Sequence, residues 1–184
     1  MKSKSLILIF AFCLCSLVST FADEAKQETF SAVVTNIPGR ISTLSMKIII
    51  KSYTPDEELV QLANFLKTQG PDALLKAINK MERGRMAPAD RLGSDVGLVR
   101  SRPTEKGRLI TMVMDRPMSF AELWRDGRST DYPFGLLQME IDKDGKGQGQ
   151  LLVATKIKFT DENSIEIENY GTQPLKLISI TKLK

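Results

Sequence analysis

Residues 134–159, FGLLQMEIDKDGKGQGQLLVATKIKF, indicate the fold most directly. Two apolar-rich segments, Phe134–Asp142 and Gln150–Phe159, flank the turn-forming sequence Lys143–Gly147. Asp and Gly favour tight turns because Asp hydrogen-bonds to nearby backbone and Gly adopts left-handed conformations. The stretch therefore predicts a β-hairpin, whose short connection makes its two strands antiparallel.

Sequence patterns typical of β-strands occur along the chain on both sides of this hairpin. One segment shows it most clearly, because Leu44, Met46, Ile48 and Ile50 alternate with mostly polar residues at the period of a strand. The remaining predicted strands are Phe30–Thr35, Val96–Arg102, Arg108–Asp115, Ser164–Asn169 and Leu175–Leu183. About eight strands with mostly short connections predict an antiparallel sheet.

A pair of helices interrupts the strands. Thr54–Glu57 resembles a capping box with Pro55 at the first helical position, and apolar residues follow at helical spacing up to Gly70. Pro71 and Asp72 begin a second short helix, so the segment predicts an αα-hairpin. Residues 82–94, rich in Gly, Pro and Arg, predict a loop.

These elements predict an α+β fold that is mostly β. The expected architecture is an antiparallel curved sheet or small barrel of about eight strands with the αα-hairpin inserted, and a β-sandwich is the alternative. Residues 29–184 form one domain on this interpretation, and the polar, aperiodic residues 23–28 form a flexible N-terminus.

The first 22 residues have the pattern of a secretory signal peptide. A basic head at residues 1–5 precedes the apolar run Leu6–Val18, and Thr20 and Ala22 supply the small residues before a cleavage site. The run is shorter than the roughly 20 residues that span a bilayer. We therefore expect cleavage after Ala22, export to the periplasm or the cell exterior, no lipid anchor and no remaining transmembrane segment.

Composition excludes several chemistries. The chain has no His, and its two cysteines, Cys13 and Cys15, lie in the signal peptide. The mature chain therefore has no disulfide, no Ser-His-Asp or Cys-His catalysis and no His or Cys metal site. Cleavage removes Lys2 and Lys4 and no carboxylate, which lowers the formal net charge from +4 to +2. This balance does not favour nucleic-acid binding, and the sequence predicts a monomer without a cofactor.

The segment between residues 116 and 132 is the candidate binding site. Arginines recognise carboxylates or phosphates through paired hydrogen bonds, and Trp and Tyr offer flat surfaces with a polar group. A purely structural loop held by Arg–Asp pairs is the alternative. The candidate ligand-binding residues are Arg116, Trp124, Arg125, Arg128, Asp131 and Tyr132.

The acidic turn at Asp142–Gly147 partly resembles a calcium loop. Asp142, Asp144 and Gly147 fit that pattern, but Lys146 and Val153 occupy positions where calcium needs oxygen ligands. We therefore predict a plain hairpin turn and no metal site. The other carboxylates form no pattern specific to hydrolysis, so no catalytic residue is predicted.

Four stretches resemble a family of uncharacterised secreted bacterial proteins: Gly127–Phe134 (GRSTDYPF), Ile167–Pro174 (IENYGTQP), Tyr53–Glu58 (YTPDEE) and Gly70–Leu75 (GPDALL). The resemblance spans most of residues 29–183. It implies an exported bacterial protein and carries no activity.

The leading functional prediction is a non-enzymatic binding module for a small apolar, amphipathic or anionic ligand. Its basis is that a small barrel with strands apolar on both faces, such as Leu109–Met114, can enclose a cavity. An envelope module that binds another protein through the Arg116–Tyr132 segment or a sheet edge is the second hypothesis. A carboxylate-dependent hydrolase is the third.

Overall fold

The computed structural model describes residues 27–35, 37, 43–89, 92–115, 133–159, 165–169 and 173–184. Within these ranges the chain forms ten strands and two helices. Their order is β1 (Glu28–Thr35), β2 (Leu44–Ile50), α1 (Asp56–Gln69), α2 (Pro71–Ile78), β3 (Gly84–Pro88), β4 (Ser94–Val96), β5 (Leu98–Pro103), β6 (Gly107–Asp115), β7 (Phe134–Asp142), β8 (Lys146–Phe159), β9 (Ile165–Asn169) and β10 (Leu175–Leu183).

All strand pairs are antiparallel, and the sheet runs in the order β4-β3-β2-β1-β10-β8-β7-β6-β5, with β9 paired to the far part of β8. Only Gly97 separates β4 from β5, and its backbone N–H donates to the carbonyl of Val113 on β6 at 3.1 Å. The two ends of the sheet therefore meet in this segment. The predicted mostly β, α+β fold is confirmed, and its sheet is a nearly closed barrel instead of a sandwich.

Alternation within the strands places one set of apolar side chains inside the barrel. On β2, Met46, Ile48 and Ile50 are buried while Ser45 and Lys47 are exposed. The inward residues of the other strands join them in one cluster that includes Phe30, Met112, Met139 and Leu177. The same period that predicted a strand thus also predicted its inward face.

The predicted αα-hairpin is confirmed and covers part of the barrel's outer surface. Gly70 joins α1 to α2 with a φ of +85°, a conformation that favours glycine. Leu59, Leu62, Leu74 and Ile78 are buried and belong to a second apolar cluster with outward residues of β5–β8, namely Leu98, Val113, Phe134, Leu136, Leu152 and Ile157. Short helices gain their stability from such docking, because alone they are marginal in water.

The predicted capping box is wrong. Helix α1 begins at Asp56 and has no side-chain cap. Thr54 is buried, and its Oγ1 accepts a hydrogen bond from the backbone N–H of Val99 at 3.0 Å. The N–H of Thr54 donates to the carbonyl of Val99 at 2.8 Å. This pairing with β5 satisfies buried backbone groups, which outweighs a local cap at a solvent-exposed helix end.

Two further predictions differ from the structure: one concerns a strand that was not predicted, and the other concerns where β1 begins. β3 forms within residues 82–94, where a loop was predicted, because Gly84–Pro88 pairs with both β2 and β4 and buries Met86. β1 begins at Glu28, the last residue of the predicted flexible N-terminus. Glu28 is 9 % exposed and therefore belongs to the folded barrel.

The predicted signal peptide, residues 1–22, lies outside the residues that the structure describes. Among the described helices, none is both long and apolar enough to cross a membrane.

Candidate functional site

The residues predicted to bind a ligand lie outside the described ranges. Arg116, Trp124, Arg125, Arg128, Asp131 and Tyr132 all fall between Asp115, where β6 ends, and Pro133. Asp115 and Phe134 are paired residues of β6 and β7, so the segment connects two adjacent strands. The binding role of these six residues stays a prediction.

The described barrel interior is filled with side chains. Phe30, Ile48, Met112, Leu137 and Met139 each have 0 % of their surface exposed. A cavity that could hold a ligand would leave its lining side chains in contact with space that water can occupy. On β6 the inward residues pack in this cluster while Val113 packs beneath the helices. Long Ile and Met side chains thus occupy the space in which the sequence predicted a ligand.

The helices leave the opposite part of the outer surface uncovered. We call this surface the bare wall, and define it by outward residues that alternate with buried or half-buried inward residues on four neighbouring strands. It comprises Ser45, Lys47 and Ile49 of β2, Thr29, Ser31, Val33 and Thr35 of β1, Lys176, Ile178 and Thr181 of β10, and Lys146, Gln148 and Gln150 of β8. These residues include no carboxylate and no aromatic ring.

An open groove of about 520 Å³ crosses the bare wall between β8 and β10. Its rim includes Gln148, Gln150, Lys176 and Ile178, together with the preceding residues Gln173 and Pro174. The carboxamides donate and accept hydrogen bonds, the ammonium group only donates, and Ile178 offers apolar surface with 44 % of it exposed. Such a surface suits a polar or anionic ligand that also carries an aliphatic group.

A β-bulge shapes this groove. Leu177 pairs with Gly149 and Ile180 with Gly147, so β10 has one residue more than β8 over this interval. Ser179, within the bulge, has a φ of +52°, which is uncommon for a residue other than glycine. Bulges twist a strand locally and redirect its side chains. Ile178 and Ser179 together lie opposite the single residue Gln148, and Ile178 is exposed at this bulge.

One end of the barrel holds a partly buried charged cluster of Glu28, Tyr53, Arg108 and Lys182, which we call the Glu28 cluster. Arg108 Nη2 donates to both carboxylate oxygens of Glu28, at 2.8 and 3.0 Å. Lys182 Nζ and Tyr53 Oη each donate to the same carboxylate at 2.5 Å. Arg108 Nη1 also donates to Tyr53 Oη at 2.9 Å.

This geometry fixes the charge states in the Glu28 cluster. Burial alone would raise the pKa of Glu28, but hydrogen bonds from Arg108, Lys182 and Tyr53 outweigh it and lower the pKa from 4.5 to about 2. Burial and the adjacent carboxylate raise the pKa of Tyr53 above its ordinary value of 10. Glu28 therefore stays ionised and Tyr53 stays protonated at neutral pH, so neither is suited to proton transfer there.

A second open groove, of about 380 Å³, lies beside the Glu28 cluster and is partly lined by Arg108, Lys182 and the Asp142–Gly145 turn. Asp142 Oδ1 accepts hydrogen bonds from the backbone N–H groups of Asp144 and Lys146, at 2.9 and 2.8 Å. The Asp142 carboxylate thus stabilises the turn by accepting hydrogen bonds from the backbone of the turn itself. The described ranges contain no group of three or more metal-ligating acidic, His or Cys residues.

Other charged side chains hold the helices to the barrel. Arg100 Nη1 donates to Asp56 at 2.5 Å, and Arg83 donates to Glu58 and, at 3.0 Å, to Ser52 Oγ. These contacts anchor the start of α1 to β5, through Arg100, and to the residue that precedes β3, Arg83. Arg83 and Arg100 therefore have a structural role, because both pair with carboxylates at the start of α1.

Sequence reasoning missed both the Glu28 cluster and the bare wall. Arg108 and Lys182 lie 80 and 154 residues from Glu28, so no local pattern joins them. The wall depends on the register of four strands, although the alternation on β2 marks Lys47 as outward-facing. Comparisons with models of protein families, with curated proteins and with solved structures gave no significant match.

Proposed function

We propose that this chain is a non-enzymatic binding module of the bacterial envelope that contacts another protein through its bare wall. The observation that carries the proposal is the filled interior, because it leaves the outer surface and the barrel ends for binding. Helices cover one part of that surface, and the Glu28 cluster occupies one end. Export rests on the signal-peptide pattern of residues 1–22.

A site-specific crosslinker tests this proposal. A photoreactive phenylalanine analogue replaces Gln148 on the bare wall, and in a separate variant it replaces Lys106 in the exposed β5–β6 turn. We expect irradiation of the native host to give one discrete protein adduct from position 148 and none from position 106. Equal adducts from the two positions, or none from position 148, would refute a partner on this wall.

A small amphipathic ligand is the second candidate function. The groove between β8 and β10 favours it, since about 520 Å³ lies within the size range of small-molecule sites. Native mass spectrometry of residues 23–184, purified from a bacterial periplasm, addresses this candidate. A ligand-sized mass that is released on denaturation, and that Gln150→Ala removes, would favour the small ligand over the protein partner.

A carboxylate-dependent hydrolase has the least support. Glu28 is the buried carboxylate of the described ranges, and three neighbouring side chains donate to it. A general acid needs a raised pKa, whereas the pKa of Glu28 is lowered. The geometry therefore gives this group a structural role.

A further inference from the structure

We propose that the bare wall selects an acidic, extended segment of its protein partner. This inference rests on the proposed function and adds the chemistry of the partner. Three exposed lysines carry it, and we call them the lysine triangle: Lys47, Lys146 and Lys176. None of the three has an ion-pair partner among the residues that the structure describes.

Strand register fixes the spacing of the lysine triangle. Lys146 pairs with Thr181, Thr181 with Ser31, and Ser31 with Lys47, so three strand spacings separate Lys146 from Lys47. At about 4.8 Å per spacing this distance is about 14 Å. Lys176 lies opposite Gln150, four residues along β8 from Lys146, or about 13 Å at 3.3 Å per residue.

The centre of the lysine triangle is polar and aliphatic. Val33 and Ile178 are paired residues of β1 and β10, and Gln148 lies beside them on β8. An extended segment that runs along the groove covers about 13 Å in four residues. Two of its carboxylates, at positions i and i+4, would therefore reach Lys146 and Lys176 while a residue between them contacts Ile178.

Neighbouring charges determine which part of the wall attracts an acidic segment most strongly. The bare wall has no carboxylate of its own, but outward carboxylates adjoin it on β7: Glu140 pairs with Gln148, and Asp142 lies at the turn that leads to Lys146. An acidic segment is therefore attracted more strongly at Lys47 and Lys176, which lie farther from these carboxylates in the strand register, than at Lys146. Electrostatic complementarity of this kind orients a partner and increases its association rate.

Two other anionic partners fit the wall less well. A polysaccharide would need a surface for its sugar rings, and aromatic rings, the usual platforms for flat or apolar ligand faces, are absent from the wall residues. An anionic membrane attracts dense clusters of about four to eight cations. The lysine triangle instead spaces single charges about 13 to 14 Å apart, which matches separate carboxylates on one extended protein segment.

The test uses a fluorescein-labelled peptide, Thr-Glu-Thr-Val-Thr-Glu-Thr, and the mature chain from residue 23 to 184. Fluorescence anisotropy at low salt measures binding, and a second peptide carries Lys at both Glu positions. We expect the acidic peptide to bind at least tenfold more tightly than the basic one, with an affinity that falls as salt rises.

Matched variants locate the binding. The triple variant Lys47→Gln, Lys146→Gln and Lys176→Gln should bind the acidic peptide about tenfold more weakly, equivalent to about 1.4 kcal/mol. The control changes Lys67, Lys80 and Lys106 to Gln. These lysines are exposed and lie in α1, after α2 and in the β5–β6 turn, outside the four strands of the wall, and their substitution gives the same change in net charge. Unchanged binding by the control, and unchanged thermal unfolding of both variants, completes the supporting result.

Three results would overturn the proposal. The protein could show no preference for the acidic peptide, or the triple variant and the control could weaken peptide binding equally. The protein could also bind dextran sulfate or phosphatidylglycerol vesicles and not the acidic peptide. The crosslinking experiment keeps this failure separate from failure of the proposed function. An adduct from position 148 that persists in the triple variant would retain the wall as the interface and reject selection by charge.

Discussion

Replacement of Glu28 by Gln should destabilise the protein by up to about 3 kcal/mol at pH 7. The pKa of Glu28 is about 2 in the folded protein and 4.5 in the ordinary state, a difference of about 2.5. Each pKa unit corresponds to about 1.36 kcal/mol, so the ionised carboxylate stabilises the fold by about 3 kcal/mol. Partial exposure of Lys182 makes this figure an upper estimate.

The pH dependence has a definite sign. Because the folded pKa is lowered, the unfolded chain binds a proton at a higher pH than the folded chain does. The stabilisation is therefore complete above about pH 5 and is lost as the pH falls from 4.5 towards 2. At about pH 3 roughly half of it should remain.

Urea unfolding followed by circular dichroism measures this effect on the mature chain and on Glu28→Gln at pH 7, 5, 4 and 3. The other carboxylates titrate in both proteins, so the difference in unfolding free energy isolates Glu28. Glu82→Gln is the control, because Glu82 forms an exposed pair with Lys51 at 3.0 Å and its side chain is 77 % exposed. A difference for Glu28→Gln that is below 0.5 kcal/mol at pH 7, or that is constant with pH, would refute the argument.

Three further substitutions test other parts of the structure by the same unfolding assay. Thr54→Val should cost about 1 to 3 kcal/mol because it leaves the buried N–H of Val99 unpaired, and Thr54→Ser should restore most of the loss; equal effects of the two would contradict this role. Met112→Ala should cost about 2 to 5 kcal/mol if the interior is filled, whereas a cost below 1 kcal/mol would indicate space around that side chain. Ser179→Gly should be neutral or stabilise by up to about 1 kcal/mol, since glycine adopts a φ of +52° without a steric penalty; a loss above 1 kcal/mol would show that the Ser179 side chain makes a needed contact.

Strong local patterns made much of the fold predictable. The bounds of β7 and β10 match the prediction because the turn-forming residues Lys143–Gly147 follow β7 and Gly171–Pro174 precede β10 in the sequence. β3 was missed because only five residues pair there and only one large apolar side chain, Met86, reveals its inward face. Thr54 was misassigned because a contact with β5, 45 residues away, competes with its local capping role.

The candidate site was less predictable because it depends on register and closure. Composition could indicate that Lys47, Lys146 and Lys176 are charged, but only the pairing of four strands brings them to one surface. The filled interior was equally hidden, since a barrel with a cavity and a packed barrel share the same alternation of apolar and polar residues. Side-chain volume and closure decide between them.

Folding stability alone does not account for the composition of the bare wall. Its residues face outward, so most substitutions there should change stability by less than about 0.5 kcal/mol. Strands disfavour Asp and Glu, but they disfavour Lys as well, and Lys occurs at three of these positions. Strand propensity therefore does not explain why these four strands present lysines while outward carboxylates begin on the next strand, with Glu140 of β7, whereas a partner that carries negative charge does. This asymmetry is what leads us to look for the function of the protein on the outside of its barrel.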